Sequence, residues 1–203
     1  MSTKTKLPIG LLNLTFVPID TEPDAAVPTY KAATYEKSLG HAVRANLTLE
    51  TAQLRVYGDD ALQVADDPFV SASLETETNM TDLELEQALF GGTYASGTGL
   101  ESSAGDTSAL GGVYFVRKLL KKDKSTVYRA CVLYRCQANR SSYGFEANTK
   151  AGTIEPKNST VTFDVFECNN GAWKWEQEYD SLSAATTAIG TKLHPTVQSG
   201  GTP

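Results

Sequence analysis

The sequence predicts a mainly β protein: an antiparallel β-sandwich or partial barrel with one short helix inserted midway. Three observations carry that class. Long runs alternate apolar and polar side chains, the period-2 signature of a strand with one buried and one solvated face. Breaks rich in Gly, Asp, Asn and Pro separate the runs at hairpin spacing. One segment alone combines a cap, an apolar stripe at helical spacing and a glycine stop.

Taken in order, Gly10 to Val17 alternates between Pro8 and Pro18, with Leu12, Leu14 and Phe16 on one side, and reads as a strand. Residues 18–38, with Pro18, Pro23 and Pro28, read as an extended loop or arm. From His41 to Tyr57, Val43, Ala45, Leu47 and Leu49 share one face and Arg44, Asn46, Thr48 and Glu50 the other; Leu54 and Val56 fall out of phase, which places a bulge or bend near Ala52 and Gln53. Phe69 to Thr78 returns as the partner, so the pair makes a long hairpin whose tip, 58–68, carries Asp59, Asp60, Asp66 and Asp67. Thr81 with Glu84 forms a capping box ahead of Leu83, Leu85, Ala88, Leu89 and Phe90, and Gly91-Gly92 stops the helix. Seven glycines between 91 and 112 describe a flexible loop.

Val113 to Leu120 and Thr126 to Ala138 form a second hairpin, its turn carrying Lys121, Lys122 and Lys124. Ser159 to Cys168 joins Ala172 to Tyr179 through Asn169-Asn170-Gly171 as a third, with Trp173 and Trp175 on one face. Ser181 to Leu193 has weak helical character interrupted at Gly190, and 194–203 reads as a flexible tail. At the other end, the arm 1–8 has Lys4 and Lys6 with no apolar stretch behind them, which fits neither a secretory signal nor a membrane anchor.

With 203 residues, 40% hydrophobic and 21% charged, the chain reads as one soluble domain, 1–203. Its net charge of -6 argues against a dedicated nucleic-acid-binding surface. The charge is also segregated. Residues 50–110 carry twelve acids against Arg55, whereas 113–140 carry eight bases against Asp123. Either these are separate solvated faces or they are complementary surfaces of successive copies. Cys131 and Cys136, five apart on one strand, point to opposite faces, and Cys168 reads as a buried thiol.

Little in the sequence suggests a reaction. His41 and His194 are the only histidines, and neither lies near a nucleophile-elbow, zinc or phosphate-loop pattern. No catalytic residue, metal site or cofactor is expected, although an enzyme centred on His41 stays as a residual alternative. The four tip aspartates lack the spacing of a calcium loop. Trp173 and Trp175 fit core or interface packing, with a ligand-binding sandwich that also uses the 91–112 loop as the alternative.

The stretches LTLETAQLRVYGDD (Leu47 to Asp60) and FVSASLETETNMTDLELEQALFGG (Phe69 to Gly92) resemble the major tail protein family of long-tailed, non-contractile bacteriophages. YFVRKLLKKDKSTVYRACVLYRCQA (Tyr114 to Ala138), NTKAGTIEP (Asn148 to Pro156) and NNGAWKWE (Asn169 to Glu176) follow that family in order and spacing. The Gly/Ser-rich insert at 91–112 and the tail beyond Leu193 depart from it.

The resemblance implies a tail-tube subunit in the virion, made in the host cytoplasm. Six copies close a ring, each giving four strands to a continuous barrel, and rings stack into a tube that conducts DNA without binding it specifically. Strands about 4.8 Å apart give such a barrel a diameter of roughly 37 Å before tilt, so it must enclose a channel. Tape-measure, terminator and distal tail proteins are the further partners implied. Glu50, Glu75 and Glu77 are the expected lumen-lining residues, repelling passing phosphates, with Arg44 paired or turned away. Asp59, Asp60, Asp66 and Asp67 are expected to meet Lys121, Lys122 and Lys124 of a neighbouring subunit or ring. A tail terminator, a gene-transfer-agent tube and a secretion-system tube are related alternatives.

Overall fold

The computed structural model describes residues 6–58, 61–79, 82–144 and 158–195. Its strands are β1 Lys6–Thr21, β2 Thr29–Tyr30, β3 Lys37–Ser38, β4 Ala42–Thr51, β5 Leu54–Gly58, β6 Ala61–Asp66, β7 Phe69–Thr78, β8 Thr93–Ala95, β9 Gly99–Glu101, β10 Leu110–Lys121, β11 Thr126–Gly144, β12 Ser159–Phe166 and β13 Lys174–Tyr179. The helices are α1 Leu83–Phe90 and α2 Leu182–Leu193. One nine-stranded sheet runs β2-β1-β10-β11-β12-β7-β4, with β13 added to β11 and β3 to β1. The mainly β, antiparallel class is as the alternation predicts.

Strand β11 belongs to two layers. Its first part pairs with β10 on one edge and β13 on the other, and its last part pairs with β12. The sheet curls about it, so that Leu14 and Phe16 of β1 and Val113 and Phe115 of β10 pack against Leu74 of β7 and Val161 and Phe163 of β12. Phe16 and Phe163 are fully buried with ring centroids 6.1 Å apart. Burial of each such side chain stabilises the fold by roughly 1.5–3 kcal/mol. The curl stops short of a closed barrel. No ladder joins β1 to β4, and Pro8–Leu11 and Val43–Leu47 line a cleft of about 670 Å³ between them.

Tertiary packing overrides several local signals. Pro8 and Pro18 lie inside β1, where Pro8 pairs with Leu119 beside a register shift and Pro18 pairs with Gly111. A proline has no N–H to give a ladder, and sheet edges and bulges are the places that tolerate this. Asn13, at φ 55, forms a bulge between Leu12 and Thr15 and breaks the alternation. Leu12 therefore joins a second core, while Leu14 and Phe16 stay in the first. The second core seats α2 through Ala185, Ile189 and Leu193 on Val116, Ala130, Val132 and Tyr134. That packing carries the helix through Gly190, so there are two helices where one was expected.

The third hairpin is also not one. β12 and β13 do not pair with each other but follow in line along the same edge of β11, from Gly144 down to Tyr128. The Asn169-Asn170-Gly171 turn is real, with Gly171 N–H donating to Cys168 O at 2.8 Å, but it loops out between collinear strands. Trp173 packs on the first core and Trp175 on the second, so they do not share a face. A register shift opposite Gly111–Val113 likewise brings Cys131 and Cys136 into the same core, both free thiols.

The two expected loops are partly ordered. Within 18–38, Tyr30 is buried and donates its hydroxyl to Tyr134 O at 2.8 Å. Within 91–112, β8 pairs with β9, and Gly111 and Gly112 belong to β10. α1 is capped by Asp82, whose side chain accepts from Glu84 N–H, and Gly91 at φ 81 closes it. The expected capping residue, Thr81, lies outside the described residues, as do 1–5, Asn148 to Pro156 and 196–203.

Candidate functional site

The alternation in β4 and β7 becomes a surface once register is fixed. Asn46, Glu75, Thr162 and Asn139 form one cross-strand row over β4, β7, β12 and β11. Thr48, Ser73, Asp164 and Gln137 form the next, and Arg44, Glu77 and Thr160 a third. The rows between them, Leu47–Leu74–Phe163–Ala138 and Leu49–Ala72–Val165–Cys136, point to the opposite side, where all but the two β4 residues are buried. A four-stranded sheet thus presents one polar face and rests its other face on the core.

Glu50, Glu75 and Glu77 all lie on this polar face: Glu75 and Glu77 alternate along β7, and register sets Glu50 of β4 opposite Ser71. Glu50 accepts the Ser71 hydroxyl at 2.8 Å, and Glu77 accepts Asn158 Nδ2 at 2.7 Å. Arg44, the exception to an acidic lining, is paired: its Nη2 lies 3.3 Å from Glu75 Oε1. Both side chains are about half exposed, so this pair tunes local charge and adds little stability. The sequence reading missed Asp164 and the rows of β12 and β11, although Thr160, Thr162 and Asp164 alternate visibly. Arg135, at the far end of the face, is drawn away by Glu22 at 2.6 Å. Acids therefore prevail across the surface.

Among the described strands β4 pairs with β7 alone, and beyond Gln137 no strand replaces β10 beside Asn139–Gly144, where α1 approaches instead, Phe90 lying on Tyr143 with ring centroids 4.9 Å apart. An unpaired edge displays N–H and C=O groups that another chain can complete.

The acidic arm and the basic turn lie elsewhere. β5 and β6 pair only with each other, as a two-stranded arm growing from the bend at Ala52 and Gln53. On it, Arg55 holds Asp67 at 2.9 Å and Asp66 Oδ1 accepts Asp67 N–H at 2.9 Å. Asp59 and Asp60 lie outside the described residues. The basic turn joins β10 to β11 through Lys121 N–H to Ser125 O at 2.9 Å and Lys124 N–H to Lys121 O at 3.0 Å. Lys122 and Lys124 are exposed, and Lys124 sits at φ 64, a conformation that favours glycine. Among the described residues no hydrogen bond or ion pair joins these lysines to Asp66 or Asp67.

Of the two histidines, the one paired with a side chain among the described residues is His194. His194 Nε2 meets Glu36 Oε1 at 2.8 Å while Tyr114 donates to Glu36 Oε2 at 2.7 Å, a clamp between α2 and the strap before β3. Burial, then the bond to Glu36, pushes the Tyr114 phenol well above its ordinary range. Burial raises the Cys131 and Cys136 thiols strongly and Cys168 to about 11, which keeps all three protonated and unreactive. Among the described residues no group of His, Cys, Asp or Glu could hold a metal ion, and no helix is long and apolar enough to cross a membrane. No protein-family model matches the chain, and no curated protein matches it at a significant level.

Proposed function

We propose that the chain is a tube-forming structural subunit of the major tail protein type found in long-tailed, non-contractile bacteriophages. In this reading six copies close a ring, the polar face of β4, β7, β12 and β11 lines the lumen, and stacked rings conduct DNA. The observation that carries it is the pairing of features on that sheet: a solvated, acid-rich face beside strand edges, along β4 and along Asn139–Gly144, that no further described strand pairs. A closed ring of such sheets satisfies both edges by mutual pairing and leaves the polar face on an enclosed channel. An acid-rich wall repels phosphates, whereas a basic wall would hold DNA by counterion release. Glu50, Glu75 and Glu77 act here as a lining and not as a binding site. Terminator, tape-measure and distal tail proteins would be its partners in the virion.

The ligand-binding sandwich is less well supported, because its aromatic platform is in use. Trp173 stacks on Phe69 with centroids 4.6 Å apart and planes 6° apart, and Trp175 packs on the second core with Lys192 5.9 Å above its ring. The test of the tube reading is to purify the chain and follow it by sedimentation velocity and negative-stain electron microscopy over a range of concentration. Rings or hollow filaments are expected; a strict monomer at high concentration refutes the reading.

A further inference from the structure

β10 links two ends of opposite charge. At its start, Ala109 N–H donates to Leu89 O of α1 at 3.1 Å; its last residue, Lys121, opens the basic turn. Twelve strand residues span roughly 36–40 Å, so α1 and the turn lie at opposite ends of the first layer.

The α1 end gathers Asp82, Glu84 and Glu86, with Glu101 on the adjoining β9. Lys37 pairs with Glu84, and Arg140 is held on Phe90 O, so these two bases only partly offset the acids. The turn end presents Lys118, Lys121, Lys122 and Lys124 around a single turn acid, Asp123, which is occupied by Ser125 N–H at 2.9 Å and Oγ at 2.6 Å. None of these four lysines has an ion pair within 4.0 Å among the described residues.

Resting on the tube reading, we infer that rings stack head to tail with the basic β10–β11 turn of one copy docked on the acidic α1 end of a second copy. Charge complementarity of this kind sets polarity and register more than affinity. The β5–β6 arm is the rival acidic partner, but register places its exit from β4 and β7, at Thr51 and Phe69, toward the same end of β11 as the basic turn, so it does not face that turn in a head-to-tail stack.

A charge swap tests the contact. One variant carries Lys121→Glu, Lys122→Glu and Lys124→Glu; the other carries Glu84→Lys and Glu101→Lys. Each alone should form rings yet lose stacking affinity by about tenfold or more. Mixing the two should restore filaments, because each reversed end then meets its complement. Circular dichroism checks folding, and if the lysine variant of α1 misfolds, Glu84→Gln with Glu101→Gln takes its place and should weaken stacking more at low salt than at high. Rings that stack unchanged after reversal overturn the contact and leave the tube reading intact. Rescue by Asp66→Lys with Asp67→Lys, and not by the α1 variant, assigns the lysines to the arm and overturns the inference. A parent chain that never forms rings overturns both.

Discussion

Replacing Gly111 with alanine tests whether the end of the glycine-rich stretch is strand or loop. A Cβ at Gly111 would stand 2.3 Å from Phe16 Cε2, 2.4 Å from Phe16 Cζ and 2.6 Å from Val17 O. Neither obstacle yields easily. The Phe16 ring is fully buried against Phe163, and the Val17 carbonyl belongs to β1, whose ladder pairs Val17 with Gly112 and Pro18 with Gly111. Relief requires β1 and β10 to separate where both cores meet. Overpacking of this kind costs about 2–3 kcal/mol. For a chain of this size that lowers Tm by about 4–12 °C. The control is Gly105→Ala, where a Cβ meets nothing within 4 Å and φ is ordinary; it should stay within about 0.5 kcal/mol of the parent. Thermal and urea unfolding at low concentration give both values. Equal Tm for the two variants would refute the close packing of β10 on β1 and return 91–112 to a loop.

Reversing Glu50, Glu75 and Glu77 to lysine should change subunit stability by no more than about 1 kcal/mol, since all three lie on a solvated face, while assembled tubes gain salt-sensitive retention of DNA in a filter or co-sedimentation assay. Asn13→Gly should be neutral or slightly stabilising and Asn13→Val should cost about 1–2 kcal/mol, because the bulge needs a positive φ; chemical denaturation separates them. Glu178 takes a hydrogen bond from Lys6 and another from Arg129, which hold its carboxyl below the usual range. Its contribution is therefore complete above the ordinary glutamate pKa and lost as pH falls through the depressed one; Glu178→Gln should flatten the acid limb of the stability–pH curve, and an unchanged limb would dismiss the pair.

Wherever one face of a strand is buried and nothing interrupts it, the period of the side chains was enough to read structure from sequence. Arg44 to Glu50 and Ser71 to Glu77 show this, and so does the bend at Ala52–Gln53. Parity failed where an extra residue entered a ladder. Asn13 splits Leu12 from Leu14, and the shift opposite Gly111–Val113 turns Cys136 onto the face of Cys131. Long-range packing decided the rest. Gly190 is a poor helix residue, yet Ile189 and Leu193 beside it are buried in the second core. The Asn169-Asn170-Gly171 turn announces a reversal, but register on β11 sends the chain onward in its original direction. On the polar face the acids of β4 and β7 were legible from alternation alone. Their union with Thr162, Asp164 and Asn139 was not, because it depends on which strand lies beside which.

The in-line arrangement of β12 and β13 along β11 has a mechanical consequence. A pull between the two ends of β11 runs along the strand axis, so the hydrogen bonds to β10, β12 and β13 are loaded in shear and must give way together. Pulling across the strands would instead open the ladders one bond at a time, as a zipper opens. The main sheet is therefore stiff along β11 and more yielding at the seam between β1 and β4, where no ladder resists widening.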